Sequence, residues 1–410
     1  MHTHGSQPAP GYRWVVVFAS AAILALAMGI MVNGISVFFA PLQEEFAWQR
    51  GSISFINFAG LIGLAAGGVV IGRVADNADI RKICLTGAAV LGMCMLLSAR
   101  ADALWQFYVL FFLAGFLGAG ALFAPIIANV GNWFPTGAGL AVGIASAGQA
   151  LGQGGVPFGT ANLISSFGWR GAFVALGLLA IFLLVPLALL IRNPPLAIRA
   201  RDAGETGRSD ASPVSLSTPT VTIWLSAAVV CCCTCMSVPL MHLVPLIQDR
   251  GFSAEQASSV AFLMLSVAIL GRIAFGKLAD MIGALPAYLV ASFWQTALVF
   301  FFTTFASLNG FYVFAAIFGF GYAGVMTCLL LSVRALTPVS KRASTLGIVL
   351  VFAWLGHGIG GYQGGIFFDL TGEYGQSYAN AAIAGVFNLI IVFTLYLRVS
   401  RPRRDPLLAT

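Results

Sequence analysis

The chain has 410 residues, of which 59% are hydrophobic and only 9% are charged. Soluble domains carry about 25% charged residues, so this composition excludes an ordinary soluble protein and indicates a membrane protein. The formal net charge of +7 does not indicate a nucleic-acid partner, because the basic residues follow a membrane topology.

Twelve apolar stretches are long enough, at about 20 residues each, to cross a bilayer core of roughly 30 Å as helices. The predicted spans are residues 14–39, 53–71, 83–99, 105–126, 139–158, 171–191, 221–247, 257–275, 286–305, 310–333, 345–367 and 378–397. They predict an all-α membrane protein. Glycine is abundant, at 47 residues, and forms clusters in spans four, five, ten and eleven, where small residues let helices pack closely.

One long polar segment, residues 192–220, interrupts the apolar spans and is rich in Pro, Gly, Ser and charge. This composition is typical of a flexible linker. It divides the chain into a first half of six helices, residues 1–191, and a second half of six helices, residues 221–410.

The two predicted halves repeat one another. Span two ends in GRVADNADIRK (Gly72–Lys82), and span eight ends in GKLADMIGALP (Gly276–Pro286), 204 residues later. Both segments place a glycine, a base and an aspartate at the same spacing, in what we predict to be a turn after a membrane helix. Pseudo-symmetric six-helix halves with a site between them are typical of transporters, and parallel halves indicate the major facilitator fold.

The basic residues indicate the orientation. If the first helix starts in the cytoplasm, 16 of the 21 Lys and Arg residues lie in cytoplasmic segments and four lie in outer loops. The remaining one, Arg272, lies inside a span. The positive-inside rule therefore predicts that both termini are cytoplasmic.

Arg272 lies in the apolar stretch Leu265–Asp280 of span eight. A charge centred in a membrane helix costs roughly 2.5–3.5 kcal/mol on insertion scales, so it normally faces a cavity or a partner. A guanidinium forms two hydrogen bonds with one carboxylate, and we interpret Arg272 as the residue that binds a carried anion. The alternative is an arginine that extends to the lipid headgroups near Lys277.

Two histidines also lie in predicted spans, His357 near the middle of span eleven and His242 toward the outer end of span seven. The predicted spans contain no Asp or Glu, so these histidines are the side chains that can take up a proton near neutral pH. We predict a role in proton coupling. The alternative is a neutral imidazole that hydrogen-bonds two helices.

Other polar and aromatic residues at predicted mid-depth complete a candidate substrate cavity. Such a cavity needs an apolar wall and a few directed donors. The residues are Asn33, Phe123, Gln149, Gln153, Tyr322 and Trp354. The alternative roles are hydrogen bonding between helices for the glutamines and packing for Phe123 and Trp354.

The repeated turns supply candidate gating residues, because an aspartate there can pair with a base or cap a neighbouring helix in one conformation and release it in another. These residues are Arg73, Asp76, Arg81, Lys277 and Asp280. The alternative is that they are solvated loop charges.

The cysteine cluster Cys231, Cys232, Cys233 and Cys235 does not predict a metal site. Consecutive residues on a helix point about 100° apart, so the four thiols cannot converge on one tetrahedral ion. Nor does the sequence contain a nucleophile–base arrangement or a nucleotide loop. We expect no enzyme activity, no cofactor and no bound metal.

Several segments carry a resemblance to a known family. They are Gly34–Ser54, Asn132–Gly152, Met241–Ser253, the GRIAFGKLAD stretch of span eight, Phe318–Met326 and Gly360–Tyr374. In these segments the chain resembles the monocarboxylate transporter family of the major facilitator superfamily, with its bacterial oxalate–formate antiporter-like branch. The resemblance implies that Arg272 is the arginine that binds the substrate anion.

The chain departs from that family at two informative positions. Proton-coupled mammalian members have an aspartate where this chain has Ala268, so the resemblance leaves proton coupling to a histidine and the substrate carboxylate. The oxalate transporter has a lysine at the position aligned with Ala353, so the second cation expected for a dianion is missing. Together these features favour a monoanion.

We therefore expect a secondary transporter of small monocarboxylate anions that works by rocker-switch alternating access, with or without proton coupling. The alternatives are an exporter of amphipathic organic compounds and a dicarboxylate or formate exchanger. The expected partners are a small carboxylate, protons and the lipid bilayer. We expect a monomer in the inner (cytoplasmic) membrane of a bacterium.

Overall fold

The structure is a computed structural model that describes residues 11–75, 78–134, 138–194, 216–338 and 341–400. Within these ranges, eleven continuous helices are long and apolar enough to cross a membrane. One of them, Ala141–Leu190, contains two spans, because Gly168 adopts φ +69° near its middle and the chain turns back there. Glycine is the residue that adopts this conformation readily. The prediction of twelve transmembrane helices is thus confirmed.

The helices are numbered here in chain order. They are α1 (Tyr12–Val37), α2 (Arg50–Ala75), α3 (Ile80–Ser98), α4 (Leu104–Asn132), α5 (138–167), α6 (169–190), α7 (Thr218–Gln248), α8 (Ala254–Ile282), α9 (Ala284–Thr304), α10 (Leu308–Leu336), α11 (Arg342–Thr371) and α12 (Gly375–Ser400). A short helix, Phe39–Phe46, follows α1.

Helices α1–α6 form the first half and α7–α12 the second. Most of the predicted linker lies outside the described residues, and α7 begins at Thr218 with the Ser217 hydroxyl as its N-cap. We call the end of the molecule where α6 stops and α7 starts the linker end, and the other end the opposite end. The halves meet mainly along two helix pairs, α2 with α11 and α5 with α8, and α7 also contacts the end of α1.

Three helices of the first half depart from regular α-helix where the sequence predicted continuous spans, and in α6 the departure is a π turn at Ala180–Leu184. Helix α1 changes to a π turn at Gly29–Asn33 and then to a 3-10 turn at Gly34–Val37. Helix α4 contains a π turn at Ala114–Ala119 and a break at Phe123. The α1 interruption is buried inside the protein, the setting in which a membrane protein tolerates irregular backbone.

Helix α8 is longer than predicted. The sequence placed Lys277 and Asp280 in a turn after the span, but both lie in the last turns of α8, which ends at Ile282. The chain turns at Gly283, whose φ of +94° is unfavourable for residues with a side chain.

Glycines place several helices in backbone contact, as the sequence predicted. A methyl group on Gly152 of α5 would lie 1.8 Å from the carbonyl oxygen of Ala25 in α1. A methyl group on Gly271 of α8 would lie 1.9 Å from the carbonyl oxygen of Phe320 in α10. Because lipid supplies no hydrophobic driving force between helices, such close packing is a main source of their association.

The Gly152→Ala substitution tests this packing. The added methyl group must push α5 away from α1, and we expect a loss of about 1–3 kcal/mol in the free energy of unfolding. Gly143→Ala is the matched control, because Gly143 lies on the same helix and a methyl group there meets nothing within 4 Å. Thermal unfolding of the purified proteins measures both, and equal melting temperatures would contradict the packing argument.

Candidate functional site

Arg272 is directed toward the interface between the halves. Its neighbours Leu270 and Ile273 are 61% and 68% exposed on the outer surface of the bundle, whereas Arg272 is half-buried. Its Nη1 lies 3.5 Å from the carbonyl oxygen of Ser146 in α5, which belongs to the other half. This orientation disfavours the alternative in which the side chain extends to lipid headgroups.

The Arg272 guanidinium lacks the partners that a buried charge needs. Its Nε atom is completely buried and has no hydrogen-bond partner among the described residues. No described carboxylate lies within ion-pair distance of it, although three other ion pairs are formed in the same ranges. A partly buried charge without a counter-charge is unfavourable, so the site is chemically suited to an anion that the protein does not itself supply.

Tyr322 lies beside Arg272. Gly271 of α8 and Gly319 of α10 bring the two helices into backbone contact, and Tyr322 follows one turn later on α10. Its ring stacks on Phe318 with centroids 5.6 Å apart, and it is close enough to Arg272 for the two groups to interact electrostatically. No hydrogen bond joins its hydroxyl to another described residue, so the hydroxyl is free to donate to a ligand.

A second group forms where α4 meets α11. The rings of Phe123 and Trp354 pack edge to face with centroids 5.6 Å apart. The centroids of the Trp354 and His357 rings are 6.3 Å apart. This contact joins the two halves, since α4 belongs to the first and α11 to the second. His357 is only 6% exposed, and its ring nitrogens have no hydrogen-bond partner among the described residues.

These residues lie at a similar distance from the linker end. Counting about 1.5 Å per residue along each helix places Arg272, Gln149, Phe123, Tyr322 and His357 about 14 to 22 Å from that end. No contact connects Arg272 with His357 in the described ranges. The structure therefore arranges two groups of predicted site residues at one level, on different helices.

Asn33 lies farther from the linker end than that level. It is buried in the π turn of α1, where its side-chain amide donates to the carbonyl oxygen of Gln153 at 3.2 Å. Its own Oδ1 is buried without a partner. Gln153 is buried too, so the pair holds α1 against α5 within the first half.

Asn57 of α2 is a residue that sequence reasoning missed. Its Nδ2 donates to the carbonyl oxygens of Met31 and Val32 at 3.0 and 2.8 Å, which the π turn of α1 leaves available. A buried asparagine in an apolar span was the available signal, because such residues usually satisfy another helix.

His242 lies at the opposite end, away from the level of Arg272. It is completely buried, with Nε2 2.6 Å from the carbonyl oxygen of Gly361 and Nδ1 3.2 Å from the hydroxyl of Tyr374. Both ring nitrogens are therefore engaged, which is the alternative role for this histidine. Its part in proton coupling remains a prediction.

Among the described residues, the predicted gating residues Arg73, Arg81, Lys277 and Asp280 form no hydrogen bond or ion pair between the halves. Arg73, Lys277 and Asp280 are exposed, and none of them takes part in the three ion pairs of the described ranges. The Arg81 side chain donates to the carbonyl oxygen of Ile191 at 3.3 Å and so caps α6 within the first half. Asp76 lies outside the described residues.

The chain matches a known family over nearly its whole length. The family model described as Major Facilitator Superfamily matches residues 17–293 and 223–409. Monocarboxylate transporter 13 of Rattus norvegicus is 27% identical over 390 residues, which cover 93% of this chain and 88% of that protein. Monocarboxylate transporter 2 of Homo sapiens is 23% identical over 438 aligned positions, covering 97% and 89%.

Solved structures share the fold at low identity. The xylose transporter XylE from E. coli, in a partially occluded inward open conformation, has a TM-score of 0.74 and 14% identity, covering 96% of this chain and 99% of that one. A bacterial homologue of the human lysosomal transporter Spinster, inward-facing and occupied, has a TM-score of 0.70 and 17% identity, covering 96% and 97%. At these identities the likeness concerns the fold alone.

The Asn57→Leu substitution tests the support of the interrupted helix α1. Leucine keeps the size of the side chain but leaves two buried carbonyl groups without a donor, so we expect a loss of about 1–3 kcal/mol in the free energy of unfolding. Asn162→Leu is the control, because Asn162 is exposed and bonds only within its own helix. If both variants unfold at the same temperature, Asn57 does not support α1.

Proposed function

Because the chain belongs to the Major Facilitator Superfamily, and is therefore a multi-pass secondary transporter rather than an enzyme, we propose that it carries small monocarboxylate anions by rocker-switch alternating access. The observation that carries the proposal is the Arg272 guanidinium, which faces the other half and has no carboxylate partner among the described residues. A substrate carboxylate would complete this site with two charge-assisted hydrogen bonds.

The charge of the site favours one negative charge on the substrate. One arginine and one carboxylate neutralise each other in a medium of low dielectric constant, whereas a dianion would leave a charge uncompensated. The positions where relatives of this kind hold further charges are occupied by Ala268 and Ala353, and both are buried. A dicarboxylate would therefore need a second cation, and among the described residues at this level a protonated His357 is the candidate for it.

The other residues of the site suit the organic part of such a substrate. The Tyr322 hydroxyl can donate a hydrogen bond near Arg272, and Gln149 is half-buried at the same level. Phe123 and Trp354 supply an apolar wall. A few directed donors against such a wall are what a small organic ligand requires.

Proton coupling would require His357. Its ring nitrogens are free of protein partners in the described ranges, unlike those of His242, so it can accept a proton without breaking a hydrogen bond. We therefore assign proton transfer, where transport is proton-coupled, to His357 together with the substrate carboxylate.

The orientation and location are part of the proposal. The linker end holds most of the basic residues, such as Arg13, Arg81, Lys277 and Arg342, and the positive-inside rule assigns it to the cytoplasm. Both termini then lie in the cytoplasm. The proposed setting is the inner membrane of a bacterium, with the protein acting as a monomer.

Ligand-induced stabilisation of the purified protein tests the role of Arg272. A monocarboxylate that binds the native state at about 100 times its Kd adds about 2.7 kcal/mol of stability, which is seen as a higher melting temperature. We expect this shift for the wild type and none for Arg272→Ala. Arg272→Lys should give a smaller shift, because lysine keeps the charge but lacks the planar group that forms two hydrogen bonds with one carboxylate.

Lys277→Gln is the matched control, because Lys277 lies on the same helix but is exposed. It should respond to the monocarboxylate as the wild type does. If no carboxylate stabilises the wild type, or if Arg272→Ala is stabilised equally, the assignment of Arg272 as the anion-binding residue is wrong. Stabilisation by amphipathic organic compounds alone would instead favour an exporter, for which Phe123 and Trp354 would form the binding surface.

Uptake into proteoliposomes under an imposed pH gradient tests the role of His357. We expect His357→Gln to lose the uptake driven by the gradient. Glutamine keeps the capacity for hydrogen bonding, but its amide does not take up a proton near neutral pH. Exchange without a gradient should continue. If uptake by the wild type does not depend on the pH gradient, proton symport is excluded, and exchange or facilitated passage is the mechanism.

A further inference from the structure

Arg50, the first residue of α2, is buried at the opposite end, although the sequence placed it in an outer loop. Its guanidinium donates two hydrogen bonds of 2.6 Å to the two carboxylate oxygens of Asp249, directly after α7. It also donates to the hydroxyl of Tyr374 at 2.9 Å and packs over the ring of Phe368, 3.8 Å from the centroid. These three partners belong to the second half, so Arg50 connects the two halves.

A second carboxylate binds the same turn of α2. The side chain of Asp369, in the last turn of α11, accepts hydrogen bonds from the main-chain N–H groups of Arg50 and Gly51 at 2.9 and 2.6 Å. The first N–H groups of a helix have no partner within it and favour an anion. A methyl group on Gly51 would lie 2.8 Å from the carboxylate, so glycine permits this close approach.

Tyr374 extends the contact to the interior. Burial raises the pKa of its hydroxyl, which therefore keeps its proton. The Gly361 carbonyl can only accept, so the proton of His242 lies on Nε2, and Nδ1 accepts the hydrogen bond from the Tyr374 hydroxyl. His242 thus positions Tyr374, whose oxygen receives the hydrogen bond from Arg50. The edge of Phe39, after α1, packs on His242 with centroids 5.4 Å apart.

We infer that Arg50, Asp249, Asp369, Tyr374 and His242 form a latch that closes the opposite end and must separate in each transport cycle. The contacts of Arg50 with Asp249, Asp369 and Tyr374 all run between the halves, so relative movement of the halves at this end breaks them together. Nearer the linker end, the described side-chain hydrogen bond between the halves is the 3.5 Å contact of Arg272 with the Ser146 carbonyl oxygen, which involves no carboxylate. This inference rests on alternating access but not on the identity of the substrate.

A neighbouring cluster of the same chemistry provides the control. Arg170 forms ion pairs with Glu45 and Asp102 at the same end of the molecule, and Trp169 donates to Glu45. All four residues belong to the first half. Its loss should leave the separation of the halves unchanged, because the whole cluster moves with that half.

The rate at which a buried reporter thiol is labelled tests the latch. Ser54 lies one turn beyond Arg50 on α2, is completely buried and contacts Gly365 of α11. Ser54→Cys is a small change, and a maleimide can reach that thiol only when α2 and α11 separate. The seven native cysteines are buried or half-buried, and the parent protein without Ser54→Cys supplies their background.

In nanodiscs, we expect Arg50→Gln and Asp249→Asn to label the reporter at least about tenfold faster than the parent, because each removes one partner of a partly buried charge pair. Arg50→Lys should give an intermediate labelling rate, since lysine keeps the charge but lacks the planar guanidinium that binds both oxygens of Asp249. Arg170→Gln should label at the rate of the parent.

Two results would overturn the latch. Parent-like rates for Arg50→Gln and Asp249→Asn would show that these contacts do not hold the end closed. An equal increase for Arg170→Gln would show general loosening of the loops. If Arg50→Gln fails to fold, Asp249→Asn decides alone, because it keeps the size of the side chain. No carboxylate is added, so failure here and failure of the monocarboxylate proposal are separate outcomes.

Discussion

A charge that leaves water for the interior of a membrane protein needs a counter-charge, and two arginines differ in where that counter-charge comes from. Arg50 has partners within the protein, among them both oxygens of Asp249. Among the described residues, Arg272 has one partner, a carbonyl oxygen at 3.5 Å, and its Nε is buried without any. The first arginine is suited to closing one end of the molecule, and the second to holding an anion that comes and goes. In this proposal, closing one end and binding the anion both depend on the free-energy cost of removing a charge from water.

Helix α11 connects these two places. Trp354 and His357 lie at the level of the proposed anion site, while Gly361 and Asp369 take part in the contacts at the opposite end. Gly358 and Gly365 let α11 approach Phe58 and Ser54 of α2 closely, so the helix is seated in a narrow contact with the other half. Helix α11 therefore contributes residues to both places.

The two Gly–base–Asp segments are similar in sequence, but their charged residues make different contacts in the structure. Arg81 caps the carboxyl end of α6, and Asp79 caps the start of α3, so the first-half segment makes local contacts. Lys277 and Asp280 continue α8 into solvent. A repeated motif predicts a repeated backbone, but the partner of each charge depends on the helices that happen to surround it. The contacts of Arg50 with the second half use residues outside the repeat.

The sequence by itself determined the membrane class, the twelve helices and the interior position of Arg272, because bilayer thickness and the cost of burying charge act on each segment separately. It also selected Phe123, Trp354 and His357, which the fold brings together. Only the tertiary structure decided that α1 is interrupted and supported by Asn57, and that Arg50 is buried between Asp249 and Asp369. Those residues are up to 319 positions apart, and a charge beside a predicted loop looks solvated until the other half of the chain covers it.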